Sequence, residues 1–371
     1  MNAVASQFEV STSDDVRHEQ TPTHPKNRRI VVASRGGPEV LSIVEEPLPE
    51  PDAGQVRIRI LATGVSFADL LMREGVHPET PRGPITLGWD LVGVIDRLGT
   101  DVVGFAEGET VAALPMLGGY ADYICLRPER LVAVPDGLDP ADAVAMVLNY
   151  MTAYQMLHRS AQVQPGQQVL IHGAAGGIGT ALLQLGGLVD LTMYGTASQR
   201  THDVVRKLGG IPIDYKHTDF VKEIVHLTGD GVDAAFDGIG GGHVWQSLKS
   251  VRPGGTVIAY GFTSSLSEGR LAGGWRHRFH GMTKPILYWL AARCIPGSRR
   301  IRVYSIQRRM WRHPDWYRED LTALFELLRE GKIKPLIAAR MTLAQARQAH
   351  ELLARGGITG KVVLLCGQHY D

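Results

Sequence analysis

Apolar residues are spaced in two ways along this chain, and the change comes near Asn149. Before it, short runs rich in β-branched residues are punctuated by Gly and Pro: IVVA (30–33), VRIRILATGV (56–65) and LVGVIDRLG (91–99), with Gly36-Gly37-Pro38 and Pro47–Gly54 between them. Such runs predict strands of a compact β-rich unit ending near Leu148. Val56–Ile60 alternates Val, Arg, Ile, Arg, Ile, which predicts a strand with one solvated face. After Asn149, continuous apolar runs alternate with helical stretches. VLIH (169–172), LTMYGT (191–196), VDAAFDGIG (232–240) and GGTVIAYGF (254–262) are each set off by a helix-like segment. This alternation predicts an α/β fold with a doubly wound parallel sheet, whose buried strands read as unbroken apolar runs. Toward the end, Trp316–Gly331 places Leu321, Leu324, Phe325 and Leu328 on one helical face, Ala344–Arg355 forms a second helix, and KVVLLC (361–366) a last strand.

Composition narrows the function classes. Lys+Arg 39 against Asp+Glu 38 gives a formal charge of +1, so no global charge points to nucleic acid. Cys125, Cys294 and Cys366 are odd in number and widely spaced; they predict neither a disulfide framework nor a metal pair and suit a reducing, cytoplasmic setting. Met1–Asn27 is polar and lacks the apolar run of a secretory signal, so it reads as a flexible tail. No stretch is long and apolar enough to cross a bilayer.

The chemistry-bearing motif is VLIHGAAGGIG, Val169–Gly179. A strand running through small residues into a helix is the turn that cradles a diphosphate: glycine lets the backbone approach, and the helix N-terminus supplies free N–H groups and a positive dipole end. Gly176, Gly177, Ile178 and Gly179 are the contact residues. An NAD site places an acid after the next strand to hold the ribose 2′-OH. Here Thr196-Ala197-Ser198-Gln199-Arg200 follows LTMYGT. Ser198 and Arg200, a hydroxyl and a cation, suit the 2′-phosphate of NADPH; a solvated helix arginine is the plainer alternative.

With these motifs in order, the chain resembles the zinc-free medium-chain dehydrogenases/reductases, in their quinone oxidoreductase (zeta-crystallin-like) branch. GVSFADLLMREG (64–75), LGWDLVGVIDRLG (87–99), GGYADYICL (118–126), NYMTAYQML (149–157), HGAAGGIG (172–179), RPGGTVIAYG (252–261) and GKVVL (360–364) carry the resemblance over about 29–371. It implies a GroES-like catalytic domain from both chain ends (29–149 and 311–371), after a tail over 1–28. It also implies a Rossmann NADPH-binding domain over 150–310, with a basic insertion near 266–300 and the active site in the cleft. The resemblance further assigns Arg200 and Tyr215 to the 2′-phosphate and Thr152 to the nicotinamide ribose and phosphate. Gly261, Phe262 and Thr263 would hold the nicotinamide amide, with Gly238 at the adjoining strand end.

Zinc enzymes of the same fold carry Cys, His and Cys at the metal, where this chain has Ser66, Trp89 and Asn149. None suits zinc in that setting, so no catalytic metal is expected. Asp90 survives beside them, either as a relic of that site or as a plain hydrogen-bond acceptor. Ser66 stands where the family often has Asn, and His77 where it often has Tyr. Both are catalytic candidates for supplying a proton, His77 because imidazole titrates near neutral pH; a loop histidine without a role is the alternative. The implied activity is NADPH-dependent hydride transfer to a quinone or α,β-unsaturated carbonyl. An enoyl reductase acting on an enoyl thioester or polyketide intermediate is the nearest rival. A non-catalytic, membrane-peripheral NADPH-binding protein is a third reading. It is motivated by 270–313, where arginines and Trp275, Trp289 and Trp311 mingle with no acid between Glu268 and Asp315; an inserted helix with a solvated basic face explains the same run. IRVYSI (301–306) resembles the last Rossmann strand, an edge that predicts a homodimer.

Overall fold

The computed structural model describes residues 26–261, 266–267, 270–271 and 299–367. The chain opens with β1 (Lys26–Val32) paired antiparallel to β2 (Leu41–Pro47). The expected tail through residue 28 is therefore corrected: Lys26–Arg28 already lie in the ladder, and Arg28 Nε donates to Asp122 at 2.7 Å. β3 (Val56–Val65) and β4 (Ile85–Thr86) follow, β4 pairing with β1. Then come β5 (Leu91–Leu98), β6 (Thr110–Ala113), β7 (Tyr123–Leu126) and β8 (Leu131–Ala133).

The solvated face expected for Val56–Ile60 is only partly present: Arg59 is half-buried and Arg57 fully so. Arg57 is buried, because β5 and β7 both pair with this part of β3, and its guanidinium is taken up by Asp96 at 3.0 Å and Glu50 at 3.2 Å. An alternation of Arg with aliphatic residues marks a wet face only when no acid waits on the polar side.

A helical run from Pro140 to Ala161 leads to the second sheet, with Asp139 capping it through the Ala141 and Asp142 amides. It slips into π geometry over Met146–Tyr150 and Gln155–Ala161. The second sheet is built from β9 (Gln168–His172), β10 (Thr192–Ala197), β11 (Gly210–Asp214), β12 (Val232–Asp237) and β13 (Val251–Ala259). β14 (Leu266–Ser267) and β15 (Arg270–Leu271) pair only with each other, and β16 (Arg300–Val303) completes the sheet. Its order is β11-β10-β9-β12-β13-β16 with every pairing parallel. Strand order reverses between β9 and β12, the position at which such sheets bind ligands. The expected strand over 301–306 stops at Val303, because Ser305 caps a helix over Ile306–Arg312 by accepting from the Arg308 amide.

The chain then returns to the first sheet. The helix Pro314–Arg329 buries Leu321, Leu324 and Phe325 as its spacing predicts, while Leu328 is half-buried. β17 (Ile337–Thr342), the helix Ala346–Arg355 and β18 (Lys361–Leu365) close the catalytic sheet in the order β17-β18-β3-β5-β6-β8. One continuous apolar core spans both sheets and the helical run between them. The fold is thus a GroES-like domain joined to a Rossmann domain. Among the described residues, no helix is long and apolar enough to cross a membrane.

Candidate functional site

The glycine turn sits where the sequence puts it, between β9 and the helix Gly177–Gly187. Gly173 has φ +63°, a left-handed conformation that glycine adopts without strain. Gly176 is the N-cap and, having no side chain, leaves the first-turn amides uncapped by the protein. That is the donor set a diphosphate needs. Gly177 also packs closely on Asn149: a Cβ there would meet Asn149 Nδ2, so a side chain would have to push that amide aside. Ile178 is half-buried against the core. The same turn touches the catalytic sheet, since Gly360 N donates to the Ala175 carbonyl at 3.1 Å.

Beyond the turn, a cavity of about 660 Å³ opens along the carboxyl ends of the strands. Gly173, Thr196, Tyr215, Phe220, Ile239 and His243 line it, with Lys222 and Lys249 at the same walls. Tyr215 is exposed and Ser198 half-buried, its hydroxyl within 3.5 Å of Thr201 Oγ1. Arg200 is exposed, and its guanidinium donates to the Gly357 carbonyl at 3.2 Å. Gly238 and Gly261 stand at the ends of β12 and β13 in such close approach that a Cβ on Gly261 would lie 2.3 Å from the Gly238 carbonyl oxygen. Phe262 and Thr263 lie outside the described residues, as does most of the basic insertion near 266–300. Thr152 is buried near Tyr304, whose phenol donates to Gln155 Oε1 at 2.9 Å.

On the catalytic side, Ser66 caps the helix Phe67–Glu74 in a capping box with Asp69. Its hydroxyl donates to Asp69 Oδ2 at 2.6 Å, and Asp69 Oδ1 accepts the Gly88 amide at 2.9 Å. Burial pushes the Asp69 carboxyl up to about 6 against the pull of these hydrogen bonds. His77 is half-buried; in its neutral form Nδ1 accepts the Glu79 amide at 3.3 Å and Nε2 carries the ring proton, and the protonated ring gives up that contact. Burial lowers its pKa. The His77 ring meets the edge of Trp89, centroids 5.4 Å apart. Trp89 Nε1 is buried and has no acceptor among the described residues.

Three residues stand out that the sequence did not single out for a role. Trp89 was read only as a missing metal ligand, yet it offers a buried donor beside His77. Lys361, inside GKVVL, reaches Asp90 Oδ2 at 2.7 Å and Asn149 Oδ1 at 3.5 Å. A lysine cation therefore stands beside Asn149, in the neighbourhood the zinc enzymes give to metal. His243 joins His172 and Asp237 at the switch point of the Rossmann sheet; only the fold brings these three together, so no spacing could have shown it.

Comparisons with known proteins agree with this architecture. A family model described as an alcohol dehydrogenase GroES-like domain matches residues 52–136, and one described as a zinc-binding dehydrogenase matches residues 208–364. A 2-haloacrylate reductase of Burkholderia sp is 32% identical over 346 residues, covering 90% of this chain and 98% of that protein. The synaptic vesicle membrane protein VAT-1 homolog of Danio rerio is 30% identical over 346 residues, covering 91% of this chain and 69% of that one. Among solved structures, Escherichia coli quinone oxidoreductase complexed with NADPH superposes with a TM-score of 0.79 at 26% identity, covering 91% of this chain and 99% of that one.

Proposed function

The chain belongs to the zinc-free medium-chain dehydrogenases/reductases, in the quinone oxidoreductase branch, and is an oxidoreductase of that type; from that premise we propose that it uses NADPH to reduce a quinone or an α,β-unsaturated carbonyl. The observation that carries the reading is the uncapped helix N-terminus at Gly176–Gly177. The same turn lines the Tyr215 cavity through Gly173, and Gly177 lies against Asn149. The Gly177 and Ile178 amides would hold the diphosphate of a dinucleotide, and Ser198, Arg200 and Tyr215 would hold its adenosine half. The Arg200 guanidinium and Ser198 hydroxyl at the end of β10, with no acid among residues 196–200, support a 2′-phosphate over a free 2′-OH.

NADPH, when bound, supplies the hydride. The protein's own residues position the acceptor and deliver the proton. Trp89 Nε1–H is a donor for the carbonyl or quinone oxygen that gains charge, and a preorganised donor in a dry site favours that charge. His77 Nε2–H holds the proton the reduced product takes up. Ser66 has its hydroxyl proton committed to Asp69, which supports a positioning role for it and leaves His77 as the stronger proton source. Gly238 and Gly261, with Thr152, Phe262 and Thr263, complete the nicotinamide end in this reading. A second copy pairing across the β16 edge, where Val303 is 54% exposed, would give the homodimer; elution as a monomer in gel filtration counts against it.

The deciding experiment follows loss of NADPH absorbance with 1,2-naphthoquinone, a simple enone and an enoyl thioester, each repeated with NADH. Turnover with NADPH on the first two supports the proposal. Turnover confined to the thioester favours the enoyl reductase reading, and preference for NADH overturns the Ser198, Arg200 and Tyr215 assignment.

A further inference from the structure

At the switch point of the Rossmann sheet, three metal-type ligands converge beside the Tyr215 cavity, and none of them was given a role in the hydride or proton chemistry above. His172 ends β9, Asp237 ends β12 and His243 begins the helix His243–Lys249. One ligand atom from each lies within 4.8 Å of the others. Two of the three residues have their outward atoms held by hydrogen bonds. His172 Nδ1 is bonded to Thr196 Oγ1 at 3.1 Å, which frees Nε2. Asp237 Oδ1 accepts the Ile239 and Gly240 amides, both at 2.9 Å, which frees Oδ2. His243 Nδ1 stands 2.9 Å from that Oδ2, and Ser247 Oγ lies 2.6 Å from Oδ2 and 3.0 Å from His172 Nε2. Ligand atoms aimed at one point, with their other ends fixed by hydrogen bonds, are how proteins preorganise a metal site.

Charge points the same way. Asp237 is completely buried, and the one ion-pair partner found for it among the described residues is His243. A buried carboxylate needs a lasting counter-charge. His243 also faces the 660 Å³ cavity, which gives an ion an entry path and an open coordination position.

We propose that His172, Asp237 and His243 bind a divalent transition metal of the zinc class, with Ser247 or solvent as fourth ligand. Two imidazoles and one carboxylate suit zinc or cobalt better than calcium or magnesium, which prefer oxygen. The site is distinct from the position of Ser66, Trp89 and Asn149, where the zinc enzymes of this fold hold their catalytic metal. It does not rest on the NADPH reading, and the test uses no cofactor.

The full chain, stripped with a chelator, is titrated with Co²⁺ and separately with Zn²⁺, following visible absorption and bound metal by dialysis. One equivalent per chain is expected, with a raised melting temperature. His243→Ala should abolish the saturable step. Thr196→Val, which removes the hydrogen-bond partner of His172 Nδ1 and of the Gly173 amide, should weaken it by about ten- to a hundredfold. His217→Ala, at a surface His–Asp pair, should change nothing. No saturable binding in the wild-type chain, or binding that His243→Ala leaves intact, overturns the proposal and identifies the cluster as a hydrogen-bonded network only.

Discussion

Lys361 and Asp90 form a buried ion pair, Nζ to Oδ2 at 2.7 Å, across 271 residues of sequence. Asp90 also accepts the Gly64 amide at 2.8 Å, so the pair ties β18 to β3. Lys361→Met should therefore destabilise the fold by about 3–5 kcal/mol, because it strands a carboxylate in the core. Adding Asp90→Asn to the same chain should recover part of that loss. Urea unfolding of the two variants checks both statements.

Arg200 is exposed, so Arg200→Ala should leave the melting temperature nearly unchanged. Its expected effect is on cofactor choice. Losing one charge-assisted contact to the 2′-phosphate, about 1.5–3 kcal/mol, weakens NADPH by roughly ten- to a hundredfold. NADH binding should not move. Fluorescence titration with both cofactors reads this directly.

Ser66 and His77 separate by their variants. Ser66→Ala removes a helix cap and should lower stability by about 1 kcal/mol, with kcat reduced less than tenfold on the reading given above. His77→Gln should leave stability intact and lower kcat by about a hundredfold. Since His77 must be protonated to donate and burial lowers its pKa, kcat/KM should fall as pH rises through a pKa below the ordinary histidine value. His77→Gln should flatten that limb of the profile.

Trp89→Phe keeps an aromatic ring and removes a buried N–H that has no acceptor among the described residues. Stability should hold or rise, because an unsatisfied buried donor costs about 1–3 kcal/mol. KM for the carbonyl or quinone should rise about tenfold, the loss of one hydrogen bond to substrate. An unchanged KM in the Trp89→Phe variant would show that the indole N–H does not meet substrate.

His350 is buried and brought down to about 3 by burial and by Arg73, whose guanidinium lies 3.0 Å from its Nδ1. The unfolded chain binds this proton near the ordinary histidine pKa, the folded chain only near 3. Stability from His350 is therefore present at neutral pH and lost as pH falls, at up to about 1.4 kcal/mol per pH unit. Asp69 works in the opposite sense. Its folded pKa of about 6 lies above the unfolded value, so its contribution is present in acid and lost as pH rises toward 6. Urea unfolding between about pH 4 and 7 should show a shallower acid loss for His350→Gln and a steeper one for Asp69→Asn.

Much of this was legible in the sequence, for identifiable reasons. The parallel strands announced themselves because strands buried on both faces are built mostly of apolar residues, and the glycine turn because only glycine takes the left-handed conformation at Gly173 without strain. Arg57 misled, since a periodicity cannot say whether Asp96 and Glu50 will meet the arginine. Ser66 looked catalytic because position alone does not show that its proton is given to Asp69. Lys361 with Asp90, and His172 with Asp237 and His243, join residues from distant strands, and such pairings exist only once the sheets have formed.

β18 lies between β17 and β3, and the Gly360 amide reaches the Ala175 carbonyl of the glycine turn. For a chain made from its N-terminus, this sets an order of events. The parallel sheet can assemble from contiguous residues before β18 is synthesised, whereas the Ala62–Val65 edge of β3 stays open until β18 emerges. A nascent chain thus passes through an interval with its parallel sheet formed and its first sheet unsealed. A chain cut short before Lys361 would remain in that state permanently.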